Sequence, residues 1–311
     1  MSEPQIFSVR RDSRNKAFIE KAAECVFTIC AFFAVLAVVS ITVYMFINGT
    51  PALFEVGIAE ILFGTSWQPA AADPSFGILY VIVTSIIGTC LAVMIGAPIG
   101  VLTAVFVEEI ASPKLAAVVK PSVELLAGIP SVIYGLLGIY LLNPLMYKLE
   151  IMLFAESETH QFTGGANLIS AVLVLAIMIL PTVINVSASA IHAVPASQKS
   201  ASLAMGASHI QTIFKVILPA AKSGISAAIV LGTGRAIGEA MAITLVSGSS
   251  VNLPLPFNSV RFLTTAIVAE MGYASGLHRQ VLFTIGLVLF VFIMFINISL
   301  TKILKGKEES S

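Results

Sequence analysis

Six stretches of this chain are each long and apolar enough to cross a bilayer, and that feature limits the fold more than any other. They run over 25–47, 76–107, 125–147, 166–193, 224–248 and 281–300. A span needs roughly 20 mostly apolar residues. In lipid every backbone N–H and C=O must be satisfied within the segment, so these stretches are expected to be helices. The composition agrees: hydrophobic residues make up 57% and charged residues 11%, against roughly 25% charge in soluble domains. The predicted class is an all-α integral membrane protein with six transmembrane helices. Residues 1–24 are polar and longer than a signal n-region, and 25–47 outruns a signal h-region, so the first stretch reads as an uncleaved span.

Six spans put both ends on one side, and the distribution of Lys and Arg selects the side. Arg10, Arg11, Arg14, Lys16 and Lys21 precede the first span, and Lys302, Lys305 and Lys307 follow the last. By the positive-inside rule both termini are cytoplasmic. The loops alternate accordingly: Lys114 and Lys120 lie in the second, Lys199, Lys215 and Lys222 in the fourth, and the first has no Lys or Arg. The external loops keep Lys148, Arg261 and Arg279. The expected organisation is a cytoplasmic N-terminal segment 1–24, a six-span domain 25–304 holding a cytoplasmic loop 194–222, and a cytoplasmic tail 305–311. No internal repeat is evident. Cys25, Cys30 and Cys90 all fall in apolar segments, where they read as small hydrophobes and not as disulfide partners or metal ligands.

Two spans carry small residues at every fourth position: Gly88, Ala92, Gly96, Gly100 and Ala104, and Gly224, Ala228, Gly232, Ala236 and Ala240. That spacing lets helix backbones approach closely where packing must replace the hydrophobic drive. These two helices are expected to form the packed interior. The second of them contains "GTGRAIGEAMA", residues 232–242, the only charges between Ser223 and Val260. At about 100° per residue, Arg235 and Glu239 fall on the small-residue face, away from lipid. An ionisable group at mid-membrane costs about 2.5–3.5 kcal/mol, so such groups pair with one another or line a pathway. Both readings stand at this point. Arg before Glu is the weaker i,i+4 order for a salt bridge, and a guanidinium fork matches an oxyanion.

The third span holds "ELLAGIPSVIYG", residues 124–135, where Gly128 and Pro130 are expected to break the helix. Irregular backbone at depth is tolerated where it lines a cavity or packs on protein. Glu124 then lies either inside that cavity or at the cytoplasmic surface, four residues after Lys120. The fourth loop, "VPASQKSASLAMGASHIQTIFKVILP", is amphipathic, with Gly206 as a turn between two short helices. It has too few lysines and aromatics to lie on lipid, and reads as a protein docking site.

The order Ala201, Leu203, Gly206 and then Ile217, Leu218, Pro219 resembles the "EAA" signature of ABC-importer permeases. In that family the loop is a coupling helix seated in a groove of the ATPase subunit, which marks Ser200, Ala201, Ser202, Gly206, Ala207, Leu218 and Pro219. Ser200 stands where the signature has its glutamate and Ser202 where it has its second alanine. A salt bridge from that glutamate to the ATPase therefore does not carry over. "ILFGTSWQP", "ELLAGIPSVIYG" and "GTGRAIGEAMAI" together resemble the phosphate-specific transport permeases, and the first of them points to the PstC type. The resemblance runs from Ile61 to Asn297. It implies a type I ABC-importer permease fold in the cytoplasmic (inner) cell membrane. It also implies a heterodimer with a PstA-like permease, two copies of a PstB-like ATPase that hold ATP with Mg, and an extracytoplasmic phosphate-binding protein.

No G-x-x-x-x-G-K-[ST] occurs, so ATP must bind elsewhere, and "KGKEES" lacks the first glycine and the hydroxyl residue. Catalytic motifs and clustered metal ligands are also lacking; His160, His192, His209 and His278 are scattered over four regions. The chain is read as a transport subunit and not an enzyme, with no cofactor or metal of its own and no nucleic-acid partner. The expected translocation path includes Arg235, Glu239 and Glu124, with Arg235 offsetting phosphate charge. Glu239 either orients Arg235 or accepts a proton-bearing oxygen of phosphate and so disfavours sulfate. The alternatives are a permease for sulfate or molybdate, a secondary transporter, which should show two related halves, and a scaffold or sensor that moves nothing.

Overall fold

A computed structural model of the chain describes residues 13–306; Arg10, Arg11 and Lys307 of the charge argument lie outside that range. Contacts divide the chain into two units at the junction of Asn48 and Gly49. The first unit is the greater part of helix α1 (Ser13–Ala52). Its apolar side chains, among them Phe27, Phe33 and Ile47, are exposed, as suits a helix bathed in lipid. Thr28 and Thr42 return their hydroxyls to carbonyls four residues back, at 2.8 Å each, so neither hydroxyl is left unpaired.

In the second unit α1 ends at Ala52, and a five-residue π turn (Leu53–Gly57) leads into α2 (Ile58–Phe63). A short antiparallel pair follows, β1 (Trp67–Gln68) with β2 (Ser75–Phe76), Trp67 opposite Phe76. Helix α3 (Leu79–Val105) continues through a π turn to Ile110. Ser112 caps α4 (Pro113–Gly128) by accepting the Leu115 N–H, with Pro113 in the first turn, where a missing N–H costs nothing. Then come α5 (Ser131–Leu137), a π turn (Gly138–Leu142) and α6 (Asn143–Phe154), one continuous apolar run. Helix α7 (Leu168–His192) is followed by α8 (Ala196–Ala204), α9 (His209–Thr212) and α10 (Leu218–Ala220). The remaining helices are α11 (Lys222–Gly238), α12 (Met241–Val246), α13 (Leu263–Glu270) and α14 (Gly276–Gly306).

Among the described residues the protein is all-α apart from the two-residue strands, and five helical runs are long and apolar enough to cross a membrane, or six if the bent pair His209–Ala220 and Lys222–Gly238 is one span. Two of the six expected spans need correction. The third runs over Ser131–Phe154 and not 125–147. Pro130 has no N–H and biases Ile129 to extended backbone (ψ 127°), so the chain before it forms a separate helix. The fifth expected span is no single helix, since α11 stops at Gly238 and α12 restarts at Met241. On its other side α11 meets the segment His209–Ala220 at a 70° bend.

The small-residue runs both pack on α7, which makes α7 the central helix. All five residues of the first run are buried. A Cβ built on Gly96 would lie 2.7 Å from Ile179, and one on Gly100 2.7 Å from Val183. From the other side a Cβ on Gly232 would lie 2.8 Å from the same Val183, and one on Gly224 2.3 Å from Ala190. Only glycine allows these approaches, which bring α3 and α11 against α7 at backbone distance. Ala240, the last of the second run, falls beyond the end of α11 and takes no part in that packing. The core has three parts along the bundle. Leu175, Met178, Ile243 and Phe262 belong to the middle. Ile213, Ile217 and Ile191 hold the end at which α8 to α10 lie, and Ile61, Ile78, Leu263 and Leu282 hold the opposite end.

Candidate functional site

The two motifs that the sequence singles out form two helix breaks, and the helices that follow them, α5 and α12, pack on one another. At the first, α4 ends at Gly128, Ile129 and Pro130 are extended, and α5 begins at Ser131. The Tyr134 hydroxyl donates to the Leu126 carbonyl at 2.8 Å, which ties α5 to the end of α4 across the gap. At the second, Glu239 is extended (φ −75°, ψ 129°) and Ala240 lies outside the helical region. α5 and α12 meet through glycines of α5 and the turn after it. A Cβ on Gly135 would stand 2.9 Å from the Ala242 backbone, and one on Gly138 2.5 Å from Val246. Gly135 closes the "ELLAGIPSVIYG" motif, so both motifs carry residues of the same contact.

The second break corrects the helical-wheel placement of Glu239. A regular 100° step carries Arg235 onto the α7-facing side, but the step is interrupted before Glu239. Glu239 instead turns back to α12, where its Oε1 accepts the Ala242 N–H at 3.0 Å. Its carbonyl accepts the Thr264 hydroxyl at 2.7 Å, which fixes the break to α13. No ion pair joins Arg235 to Glu239, so the self-neutralising salt bridge is absent among the described residues. Arg235 is half-buried in the last turn of α11, has no hydrogen-bond or ion-pair partner among the described residues, and lies within electrostatic range of Tyr134. A cation is favoured by the partial negative charge at a helix C-terminus, and its guanidinium donors remain available to an oxyanion.

Glu124 is exposed on α4 and lines an open cleft of about 440 Å³ with Lys120, Glu108, Asn185, Ser189 and His192. It does not pair with Lys120, whose Nζ goes to Glu108 Oε1 at 2.7 Å. The cleft takes none of its lining from the break at Gly128–Pro130.

The loop after α7 is a compact unit. Helix α8 ends at a turn in which Gly206 takes φ +87°, a conformation costly to residues with a Cβ. Ser208 then caps α9, accepting the Gln211 N–H while Gln211 returns to the Ser208 N–H, a reciprocal capping box. Ser202 is buried and its hydroxyl meets that of Thr212 at 3.0 Å, locking α8 to α9. Ser200 is exposed and donates to the Ala196 carbonyl of its own helix. Ala201 is exposed, the Ala207 N–H closes the turn on the Ser202 carbonyl, and Leu218 and Pro219 sit in α10, with Leu218 against the Ile213 cluster. The outer surface is apolar: Leu203, Met205, Ile210 and Phe214 are all exposed, with Met205 at 84%.

Sequence reasoning missed what holds this loop. Glu109, at the end of α3, pairs with Lys199 of α8, and its carbonyl accepts from His209 Nε2 at 2.9 Å. Glu108 beside it takes Lys120 and, at 3.4 Å, His192. The signal was present: two adjacent carboxylates close a span that carries no other charge, opposite a lysine-bearing loop. Each of the four histidines stands against a glutamate in this way. His160 lies 2.9 Å from the buried Glu150, and His278 lies 2.7 Å from Glu270. No group of three metal-capable side chains occurs among the described residues.

A bundle of apolar helices with two helix breaks, an unpaired arginine at one of them and an apolar loop strapped to its end has the form of a membrane permease. The chain belongs to the family of binding-protein-dependent transport system inner membrane components, whose model matches residues 96–307. It is 37% identical over 301 residues to the probable ABC transporter permease protein YqgH of Bacillus subtilis, covering 95% of this chain and 94% of that one. It is 35% identical over 242 residues to the phosphate transport system permease protein PstC of Pasteurella multocida, covering 75% of each. A PstC of Xylella fastidiosa is 31% identical over 291 residues, 90% of this chain and 88% of that one. Among solved structures, a chain of the MetNI methionine ABC transporter in an inward-facing conformation matches with a TM-score of 0.51 at 22% identity, over 74% of this chain and 94% of that chain. That likeness supports the fold.

Proposed function

We propose that this permease forms half of the translocation path of an ATP-driven importer of inorganic phosphate. The observation that carries the reading is Arg235, a guanidinium left without a partner at a helix break within the bundle, in a chain that resembles PstC permeases over most of its length. An intramembrane charge of this kind is retained only against a cost, and a path for an anion gives it a use. On this reading the α8 to α10 loop and both termini lie in the cytoplasm, which the lysines of that loop support.

The partners on this reading are a PstA-like permease as the second half of a heterodimer, two PstB-like ATPases that bind ATP with Mg, and an extracytoplasmic phosphate-binding protein. The apolar surface of Leu203, Met205, Ile210 and Phe214 seats in the ATPase. Closure of the ATPases pushes α8. The push passes through Lys199 and His209 to Glu109 and so to α3, and through the 70° bend to α11. Because α3 and α11 both bear on α7 by glycine contacts, the three helices move together. The breaks at Ile129–Pro130 and Glu239–Ala240 are the places where no helical hydrogen bond resists that movement. Glu239 serves as the cap of α12 and holds the break open, leaving Arg235 to face phosphate.

The test is uptake of radiolabelled phosphate by proteoliposomes holding the two permeases and the ATPase, with ATP inside or out as orientation requires and the binding protein supplied. ATP-dependent phosphate uptake that excess sulfate and molybdate fail to displace supports the reading. Uptake displaced by sulfate assigns the permease to another oxyanion, and uptake that follows an ion gradient without ATP assigns it to a secondary transporter.

A further inference from the structure

At the end of the bundle opposite α8, a second arginine stands in a polar pocket that the path through Arg235 does not use. The pocket has a volume of about 420 Å³ and lies between the loop before β1 and the loop after α12. Thr65, Ser66, Gln68, Ser249, Ser250 and Arg261 line it, and no acidic side chain does. Arg261 is largely buried, with its side chain 15% exposed. Its Nε donates to the Ser249 carbonyl at 2.7 Å and its Nη1 pairs with Glu270. Among the described residues Nη2 has no contact of that kind, so its donors stay free.

The surroundings hold that guanidinium in place. Glu270 is buried behind it and is shared: Trp67 Nε1 donates to both carboxylate oxygens at 3.1 Å, and His278 lies 2.7 Å from Oε2. Held from three sides, the carboxylate fixes the guanidinium through Nη1 and leaves Nη2 uncommitted. Ser249 is the one non-glycine residue at positive φ (+65°) among the described residues, directly after Gly248 at +84°. A left-handed serine is strained, and such strain persists where the surrounding structure enforces it. Here it points the Ser249 carbonyl at Arg261 and sets Ser250 at the pocket mouth. The charge pattern adds a separate argument. External loops of a membrane protein are poor in Arg and Lys, yet this loop keeps an arginine and largely buries it.

We infer that this pocket is an oxyanion site at the extracytoplasmic mouth, built to hold inorganic phosphate before it reaches Arg235. The anion's identity rests on the phosphate-importer reading; the site itself rests on the Arg261 geometry. Free guanidinium donors with four hydroxyl groups around them match a tetrahedral, partly protonated anion, which needs both donors and acceptors. With its side chain only 15% exposed, Arg261 suits a small free ion better than a side chain of a docked protein.

The experiment uses the complete transporter in lipid nanodiscs, without ATP or binding protein, and measures equilibrium binding of radiolabelled phosphate. Arg235→Gln provides the background that removes the anion site in the path. Ser250→Asp places a carboxylate in the pocket without touching the Arg261–Glu270 pair, and Ser250→Asn is its neutral control. The expected result is phosphate binding that survives Arg235→Gln and weakens about tenfold or more on adding Ser250→Asp, about 1.4 kcal/mol, with Ser250→Asn near parental. Loss of all binding in Arg235→Gln alone overturns the proposal, as does equal binding in the Asp and Asn variants. The binding protein is then added to the same nanodiscs, and intact phosphate binding with lost association of that protein in Ser250→Asp also overturns the proposal, assigning the pocket to that protein. Failure of the importer reading is separate: the pocket then binds sulfate in place of phosphate, with the same Ser250→Asp dependence.

Discussion

Replacing Glu239 separates a cap from an ion ligand, because the two roles respond differently to Gln and Ala. Glu239 Oε1 accepts the Ala242 N–H at 3.0 Å, and that N–H has no helical partner in the first turn of a six-residue helix. Loss of a side-chain cap costs about 0.5–2 kcal/mol, and α12 is too short to absorb it by fraying without giving up Ala242, Ile243 and Val246 from the core. Glu239→Ala is therefore expected to destabilise the α12 break by about 1–2 kcal/mol. Glu239→Gln keeps an acceptor oxygen on the same stem and loses only the attraction of a charge to the helix N-terminus, about 0.3–1 kcal/mol. Hydrogen exchange on the assembled complex reads this directly. The amide of Ala242 is expected to exchange about tenfold faster in Glu239→Ala, equivalent to about 1.4 kcal/mol, with Glu239→Gln between it and the parent. Phosphate uptake and sulfate exclusion should survive in Glu239→Gln and fall in Glu239→Ala. The reasoning is refuted if Glu239→Gln loses uptake or admits sulfate while Ala242 exchange stays parental, since the carboxylate charge would then act on the ion.

Three further outcomes follow from other contacts. Gly96→Val drives a branched side chain into Ile179, 2.7 Å from the new Cβ, so complex thermostability should drop by about 1–3 kcal/mol, whereas Gly128→Ala, with nothing within 4 Å, should leave assembly unchanged. Tyr134→Phe keeps the buried ring and removes the bond to Leu126, so stability should fall by only about 0.6–1.7 kcal/mol, with faster opening of the α4–α5 break seen by amide exchange at Ile129. Glu109→Gln weakens the attachment to Lys199, and the expected signature is uncoupling: ATP hydrolysis by the complex is retained while phosphate moved per ATP decreases.

The sequence made the bundle legible because its strongest signals are one-dimensional. Apolar length and Lys placement depend on no tertiary contact, so the all-α membrane class follows directly, and so do the small-residue faces of α3 and α11. The same logic failed at Glu239, where a helical wheel assumes a continuous helix. Nothing local breaks it there: Gly238 is permissive and no proline follows, and the break is fixed by Thr264 on the Glu239 carbonyl and by packing of Ala242 on Gly135. Those partners are distant in the chain. The break at Pro130 was legible because proline enforces it locally. Glu108 and Glu109 went unread for the opposite reason, since charges at the end of a span look like ordinary solvated residues until Lys199, Lys120 and two histidines are seen around them. The Arg261 pocket likewise joins residues nearly 200 positions apart, and only the fold brings Thr65 to Ser250.

The central claim is that an unpartnered Arg235 carries the phosphate charge through the permease. The direct measurement is the initial rate of ATP-dependent phosphate uptake by the reconstituted complex with Arg235→Gln, with assembly and basal ATPase activity verified on the same sample. The account predicts a fall of at least about tenfold, equal to about 1.4 kcal/mol of lost barrier-lowering, with assembly unchanged. Uptake at the parental rate from a normally assembled Arg235→Gln complex would contradict it.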